Sequence, residues 1–285
     1  VRAITVFFLL TVLFACVPAS QQVSQATKSP QTEGASQEQQ APQVTSQNQN
    51  KVPLADEHFR LGVSHLKSNN PTQALKELLQ AFQLDPKNDE INEALAQAYQ
   101  RKKAYRLAEK HYLKAIEFGG DNPRYKNNLA SLYLLMEEWD NAIDYFDQAA
   151  SNLLFMNPHV ALAGKGYAYL QKKDYQAALA QFREATAMAP RFSQGYYLQG
   201  EAYKAMGDSD RARVAFEQAL DMSPNYAQAL YQLAILDMET EQFDSAVKRF
   251  ERVVELAPLS ELGMQATGML RALKKKQPVQ ADGEG

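Results

Sequence analysis

The chain has 285 residues, 30 Lys and Arg against 33 Asp and Glu, a formal net charge of −3 and one Cys. So even a balance excludes a protein that holds polyanions by counterion release: its basic clusters, such as Lys274, Lys275 and Lys276, are no longer than three residues, and no nucleic-acid partner is expected. A solitary Cys also excludes an internal disulfide or a cysteine-rich metal site.

In chain order, residues 1–15 come first. Arg2 precedes an uncharged run from Ala3 to Ala15. As a helix that run would reach about 20 Å, short of the roughly 30 Å hydrocarbon core, so it reads as a removable export signal and not a membrane span. Leu13-Phe14-Ala15-Cys16 resembles the lipobox of bacterial lipoproteins. The resemblance implies that Cys16 is acylated and becomes the first residue. Val17, where an Asp would resemble an inner-membrane retention signal, then implies the outer membrane. The other reading is an incidental Cys in an ordinary signal peptide.

Residues 16–50 follow as that Cys and a linker. Val17 to Asn50 holds ten Gln, no aromatic residue and only three charges, Lys28, Glu33 and Glu38. Such a segment cannot bury enough apolar surface to offset ordering, so it is expected to be a disordered tether with a reach of roughly 30 to 40 Å.

From residue 51 the chain repeats on a 34-residue ruler. Leu61-Gly62, Ala74, Leu78, Ala81 and Pro86 set the phases, which return as Leu95-Ala96, Ala108, Tyr112 and Ala115, then as Leu129-Ala130, Ala142, Phe146 and Ala149. Two extra residues enter within Leu153 to Pro158. The ruler then resumes with Gly166, Ala178, Phe182 and Pro190, with Gly200, Ala212, Phe216 and Pro224, and with Leu233-Ala234, Ala246, Phe250 and Pro258. The pattern resembles the tetratricopeptide repeat. That implies an all-α fold over residues 51–276, a right-handed superhelix of six helix-turn-helix repeats with a C-terminal capping helix, followed by a disordered tail at 277–285.

The phases have physical reasons. Gly or Ala of helix A and Ala of helix B are expected where the two antiparallel helices approach closely, and Tyr and Phe should fill the gap to the next unit. Pro86, Pro190, Pro224 and Pro258 should stop helix B. Ser260 to Lys276 fits the capping helix, with Leu262, Ala266, Met269, Leu270 and Leu273 on one face; Lys274 to Lys276 then complement its C-terminal dipole.

No catalytic residue, metal or cofactor is expected, and the chain reads as a non-enzyme. His58, His65, His111 and His159 belong to no metal or nucleophile motif, Asp208 and Asp210 fit a helix-capping turn, and Trp139 falls at a packing position.

Function is therefore expected on the helix A wall. Counting along the repeats places Phe59, Val63 and Leu66 there, then Glu93 and Gln97, Asn127 and Ser131, Ala163 and Tyr167, Tyr197 and Glu201, and Tyr231 and Ile235. The apolar first three suit either a groove for an amphipathic partner helix or a surface covered by the upstream segment with Val52 and Leu54 folding back. A lipobox followed by six such repeats, those apolar wall residues, the run Arg124-Tyr125-Lys126-Asn127-Asn128 and an irregular boundary from Ala149 to Gly166 resemble the type IV pilus pilotin lipoproteins of the PilF/PilW family. That resemblance implies an outer-membrane assembly factor whose groove binds a secretin segment and promotes secretin localisation and multimerisation. Asn127 and Asn128 are read either as part of that groove or as a polar helix face. The alternative function is an adaptor for periplasmic peptidoglycan-remodelling enzymes.

Overall fold

The computed structural model describes residues 51–276, and the expectations for the leader, Cys16, the tether and the tail lie outside them. Among the described residues there are thirteen helices and no strand. In chain order they are α1 (Lys51–Lys67), α2 (Pro71–Leu84), α3 (Asp89–Arg101), α4 (Tyr105–Gly119), α5 (Pro123–Leu135), α6 (Trp139–Ala150) and α7 (Pro158–Gln171). They continue as α8 (Tyr175–Met188), α9 (Ser193–Ala205), α10 (Ser209–Met222), α11 (Ala227–Glu239), α12 (Phe243–Leu256) and α13 (Glu261–Lys276). Two compact units divide after Leu135, so α1 to α5 belong to the first and α6 to α13 to the second.

Each turn from helix A to helix B carries one residue with positive φ: Asn69, Lys103, Glu137, Lys173, Gly207 and Glu241. A left-handed residue just past a helix lets the next amide reach back to an otherwise orphaned carbonyl. Ala104 N donates to Tyr99 O at 2.9 Å, Asp174 N to Tyr169 O at 3.0 Å and Asp208 N to Tyr203 O at 3.0 Å. Helix B then starts on a side-chain cap in several repeats: Asn70, Asp174 and Asp208 accept from Gln73 N, Ala177 N and Arg211 N. The capping reading of Asp208 thus holds.

Pro86, Pro190, Pro224 and Pro258 each follow the residue that caps helix B, namely Asp85, Ala189, Ser223 and Ala257. The fourth helix stops without proline, at Gly120 with φ 64°. Close approach between paired helices is equally direct. A Cβ on Gly166 would fall 2.6 Å from the Phe182 ring and 3.1 Å from Ala178 O, and one on Gly62 would fall 2.5 Å from Leu78 Cγ. Phe182 therefore fills space inside its own repeat, which corrects the expectation that these rings fill the gap to the next one; Phe146, against Gly164 of α7, does fill that gap.

Residues 51–54 do not fold back over the first repeat. They form the first turn of α1, and Leu54 is left exposed, as is Leu61, whose counterparts Leu95 and Leu129 are fully buried. At the other end α13 closes the second unit as expected. Ser260 Oγ accepts from Gly263 N at 3.0 Å, Ala266 and Leu273 are buried, and Leu262, Met269 and Leu270 pack against the same core.

Candidate functional site

In the first unit the wall begins on α1. Phe59 and Val63 are partly buried against a core of Ala55, Leu66, Ala74, Leu78 and neighbours, and each keeps some open surface. Leu66 does not: it is 4% exposed, so it belongs to that core and offers no surface to a partner. One helical turn separates it from Val63, and that rotation about the axis is enough to carry it inside.

The polar part of this wall is built on Glu93 of α3, which is buried. Arg124 of α5 pairs with it at 2.8 Å, Asn128 Nδ2 donates to it at 2.8 Å and Gln97 Nε2 at 3.3 Å. Burial raises the Glu93 carboxyl above the usual carboxylate range, and Arg124 and the amides oppose that rise. Arg124 and Asn128 stand four residues apart and so share one helical face. The Arg-x-x-Asn-Asn run is thereby explained: its first and last members hold one carboxylate and tie α5 to α3. Asn128 takes this bridging role, while Asn127 Oδ1 is buried without a partner and Ser131 Oγ donates to Asn127 O at 2.9 Å.

In the second unit the wall is aromatic. Tyr167 of α7 and Tyr197 of α9 are 1% and 4% exposed, so the expected wall tyrosines are packing residues with little surface to share; Ala163 is fully buried as well. Their rings fill the space between successive helices: Tyr197 meets the Tyr226 ring edge-on at 5.3 Å and Phe216 at 5.6 Å. Tyr231 of α11 is only half-buried, its ring 5.4 Å from Phe250, and Ile235 beside it is also half-buried. One turn beyond Tyr197, Glu201 has its Oε1 buried without a hydrogen-bond partner. Burial pushes its carboxyl up to about 7, against the pull of Lys204 and a hydrogen bond from Tyr197. Lys204 spends its own ammonium on Gln232 Oε1 at 2.6 Å.

The reading by phases missed a buried triad in the second unit. Asp237 of α11 is fully buried, pairs with Arg213 of α10 at 2.6 Å and also binds Arg249 of α12. An Asp inside the apolar stretch Ala-Ile-Leu-Asp-Met was the available signal. Three of the histidines have defined partners inside the fold. His58 Nδ1 meets Glu77 at 2.8 Å, and His111 is stacked on Tyr99 with its pKa lowered to about 4 by burial. His159 lies edge-on to Phe192. Among the described residues no group of three or more His, Cys, Asp or Glu is placed to hold a metal ion. What these surfaces offer chemically is contact: apolar area at Phe59 and Val63 beside half-buried Gln97 in the first unit, and half-buried Tyr231 and Ile235 in the second.

Comparison with known proteins agrees with this geometry. Tetratricopeptide repeat models match residues 65–132 and 203–264, residues 127–153 and residues 160–192. The type IV pilus assembly protein PilF of Pseudomonas aeruginosa PAO1 is 26% identical over 137 residues, which is 46% of this chain and 54% of that relative; the match thus spans about half of PilF. Among solved structures, P. aeruginosa PilF has a TM-score of 0.62 at 20% identity, covering 77% of this chain and 99% of its own. PilW, a type IV pilus biogenesis factor, has 0.65 at 19%, covering 75% and 98%. Cut9 with Hcn1 from the APC/C scores 0.61 at 18%, covering 77% and 42%, so structural likeness at this level reports the fold alone. With most of residues 65–264 matched by that repeat, and its helical pair recurring at the expected period, the chain belongs to the tetratricopeptide repeat family.

Proposed function

We propose that this chain is a pilotin-like type IV pilus biogenesis factor, a non-enzymatic outer-membrane lipoprotein anchored through Cys16. Its helix A wall holds a segment of the pilus secretin and promotes the localisation and multimerisation of that pore. The observation that carries this reading is the sequence similarity to PilF, a type IV pilus assembly protein. The open surface of Phe59 and Val63 on α1 supports it, because an amphipathic segment needs an apolar place to dock. Burying two such side chains fully contributes at most about 1.5 to 3 kcal/mol each before association costs are subtracted. Affinity is then modest, and holding both partners at one membrane raises the effective concentration.

Co-purification from detergent-solubilised envelopes tests the reading. A secretin should be recovered, whereas peptidoglycan hydrolases without a secretin would favour an adaptor role. Phe59→Glu should lower the yield of secretin multimers while leaving the melting temperature within a few degrees; an unchanged yield overturns the groove. Cys16→Ser should leave uncleaved precursor or misplaced protein, and normal outer-membrane fractionation of that variant would contradict the anchor.

A further inference from the structure

The connection between α6 and α7 runs from residue 151 to 157, seven residues where 85–88, 189–192, 223–226 and 257–260 use four each. Leu153, Leu154 and Met156 on it are 101%, 83% and 87% exposed. A lone exposed residue such as Leu259 is ordinary. Three large apolar side chains crowded onto one loop are not, and such a patch marks a contact with a protein or a membrane.

Three observations favour the membrane. From Gln148 to Gly164 the chain has no Asp, Glu, Lys or Arg, and burial lowers the pKa of His159, so the loop itself brings no full charge to an apolar interface. The backbone of the turn is largely satisfied from within. Ser151 N donates to Asp147 O, Asn152 N to Ala149 O, Leu154 N to Asn152 Oδ1 and Phe155 N to Asn152 O, at 2.9 to 3.3 Å. Amides already bonded lower the cost of leaving water. The side chains also project almost wholly into solvent, a shape that a fluid bilayer accepts without a matching pocket.

We propose that the loop 152–157 is a lipid-surface contact, in which Leu153, Leu154 and Met156 enter the outer edge of a bilayer. No described helix is long and apolar enough to cross a membrane, so the contact is interfacial. It rests on the lipid-anchor reading for a nearby membrane, and it sets which face of the second unit meets that membrane.

The test uses the chain from residue 16 onward with Cys16→Ser, which lacks both leader and acylation site, mixed with vesicles of phosphatidylethanolamine and phosphatidylglycerol. That chain has no other thiol, so Leu154→Cys takes a single environment-sensitive label, with Gln218→Cys on exposed α10 surface as control. A blue shift and quenching by brominated acyl chains are expected at position 154 and not at 218. Replacing Leu153, Leu154 and Met156 together by Ser should lower vesicle partitioning about tenfold or more with an unchanged melting temperature. Equal partitioning of the two chains overturns the proposal. So does a serine variant that loses a protein partner or self-association while the unsubstituted chain never binds vesicles. Because the chain tested carries no lipid, a failed anchor at Cys16 would show in envelope fractionation and leave the vesicle result standing.

Discussion

The two units manage buried carboxylates on their A helices in different ways. In the first, Glu93 keeps one guanidinium and two amides, and the network runs along the wall from α3 to α5. The second divides the task. Asp237 of α11 has two guanidiniums, from the helices before and after it, while Glu201 of α9 has a buried oxygen with no partner. A carboxylate taken from water must recover its hydration from neighbours or take up a proton. Asp237 takes the first course, Glu201 the second, and Glu93 lies between. The same charge is thus a clamp where cations converge and a titrating group where they do not.

The largest expected effect comes from removing the best-partnered carboxylate. Asp237→Ala would leave Arg213 and Arg249 facing each other without a counter-charge, and it should cost about 3 to 5 kcal/mol in urea denaturation at pH 7. Arg249→Met should cost clearly less. It leaves Arg213 on Asp237 and removes a guanidinium whose pKa is already lowered by burial and by Arg213. Equal losses in the two variants would mean that the triad is not organised around Asp237.

That triad also shows where sequence reasoning stops. The repeat ruler located every turn: positive-φ residues fall 34 apart from Asn69 to Glu137 and from Lys173 to Glu241, with 36 across the irregular boundary. It could not say which residues would adopt that conformation, since Lys103, Glu137, Lys173 and Glu241 do so without glycine's freedom. There the packing of the helical pair overrides local preference. The close approaches at Gly62 and Gly166 were legible because small residues recur at one phase. Wall and core were harder to separate. Leu66, Tyr167 and Tyr197 stand where a small rotation about the helix axis decides burial, and a 3.6-residue period does not resolve it. Charged partners were silent, because Asp237 meets residues 24 and 12 positions away at phases the repeat leaves variable.

The contrast between Glu201 and the paired carboxylates sharpens with pH. The folded Glu201 carboxyl titrates near 7 against an ordinary value of 4.5. Between those values the folded state holds the proton more tightly than the unfolded one, so stability falls as pH rises through the window and levels above it. Glu201→Gln removes that fall. Relative to the unsubstituted chain, the variant should gain about 2.5 kcal/mol on going from pH 5 to pH 8, read as the change in urea midpoint at constant slope. Parallel profiles for the two chains would show that Glu201 is already ionised at pH 5.

The smallest effect is expected at Arg124, whose side chain is 40% exposed and therefore well screened. Arg124→Gln should cost about 1 kcal/mol at pH 7. Without the guanidinium, burial of Glu93 is opposed only by amides, so its carboxyl should rise further and the loss should be larger at pH 8 than at pH 5. Adding Glu93→Gln should recover most of it, because a neutral amide in that place asks for no cation. If Arg124→Gln costs the same with Glu93 present or replaced, the guanidinium stabilises α5 by packing on the Tyr125 ring, whose face it meets at 5.2 Å. The first unit's network would then be a set of hydrogen bonds around Glu93 and not an ion pair, and its kinship would be with Glu201 instead of with Asp237.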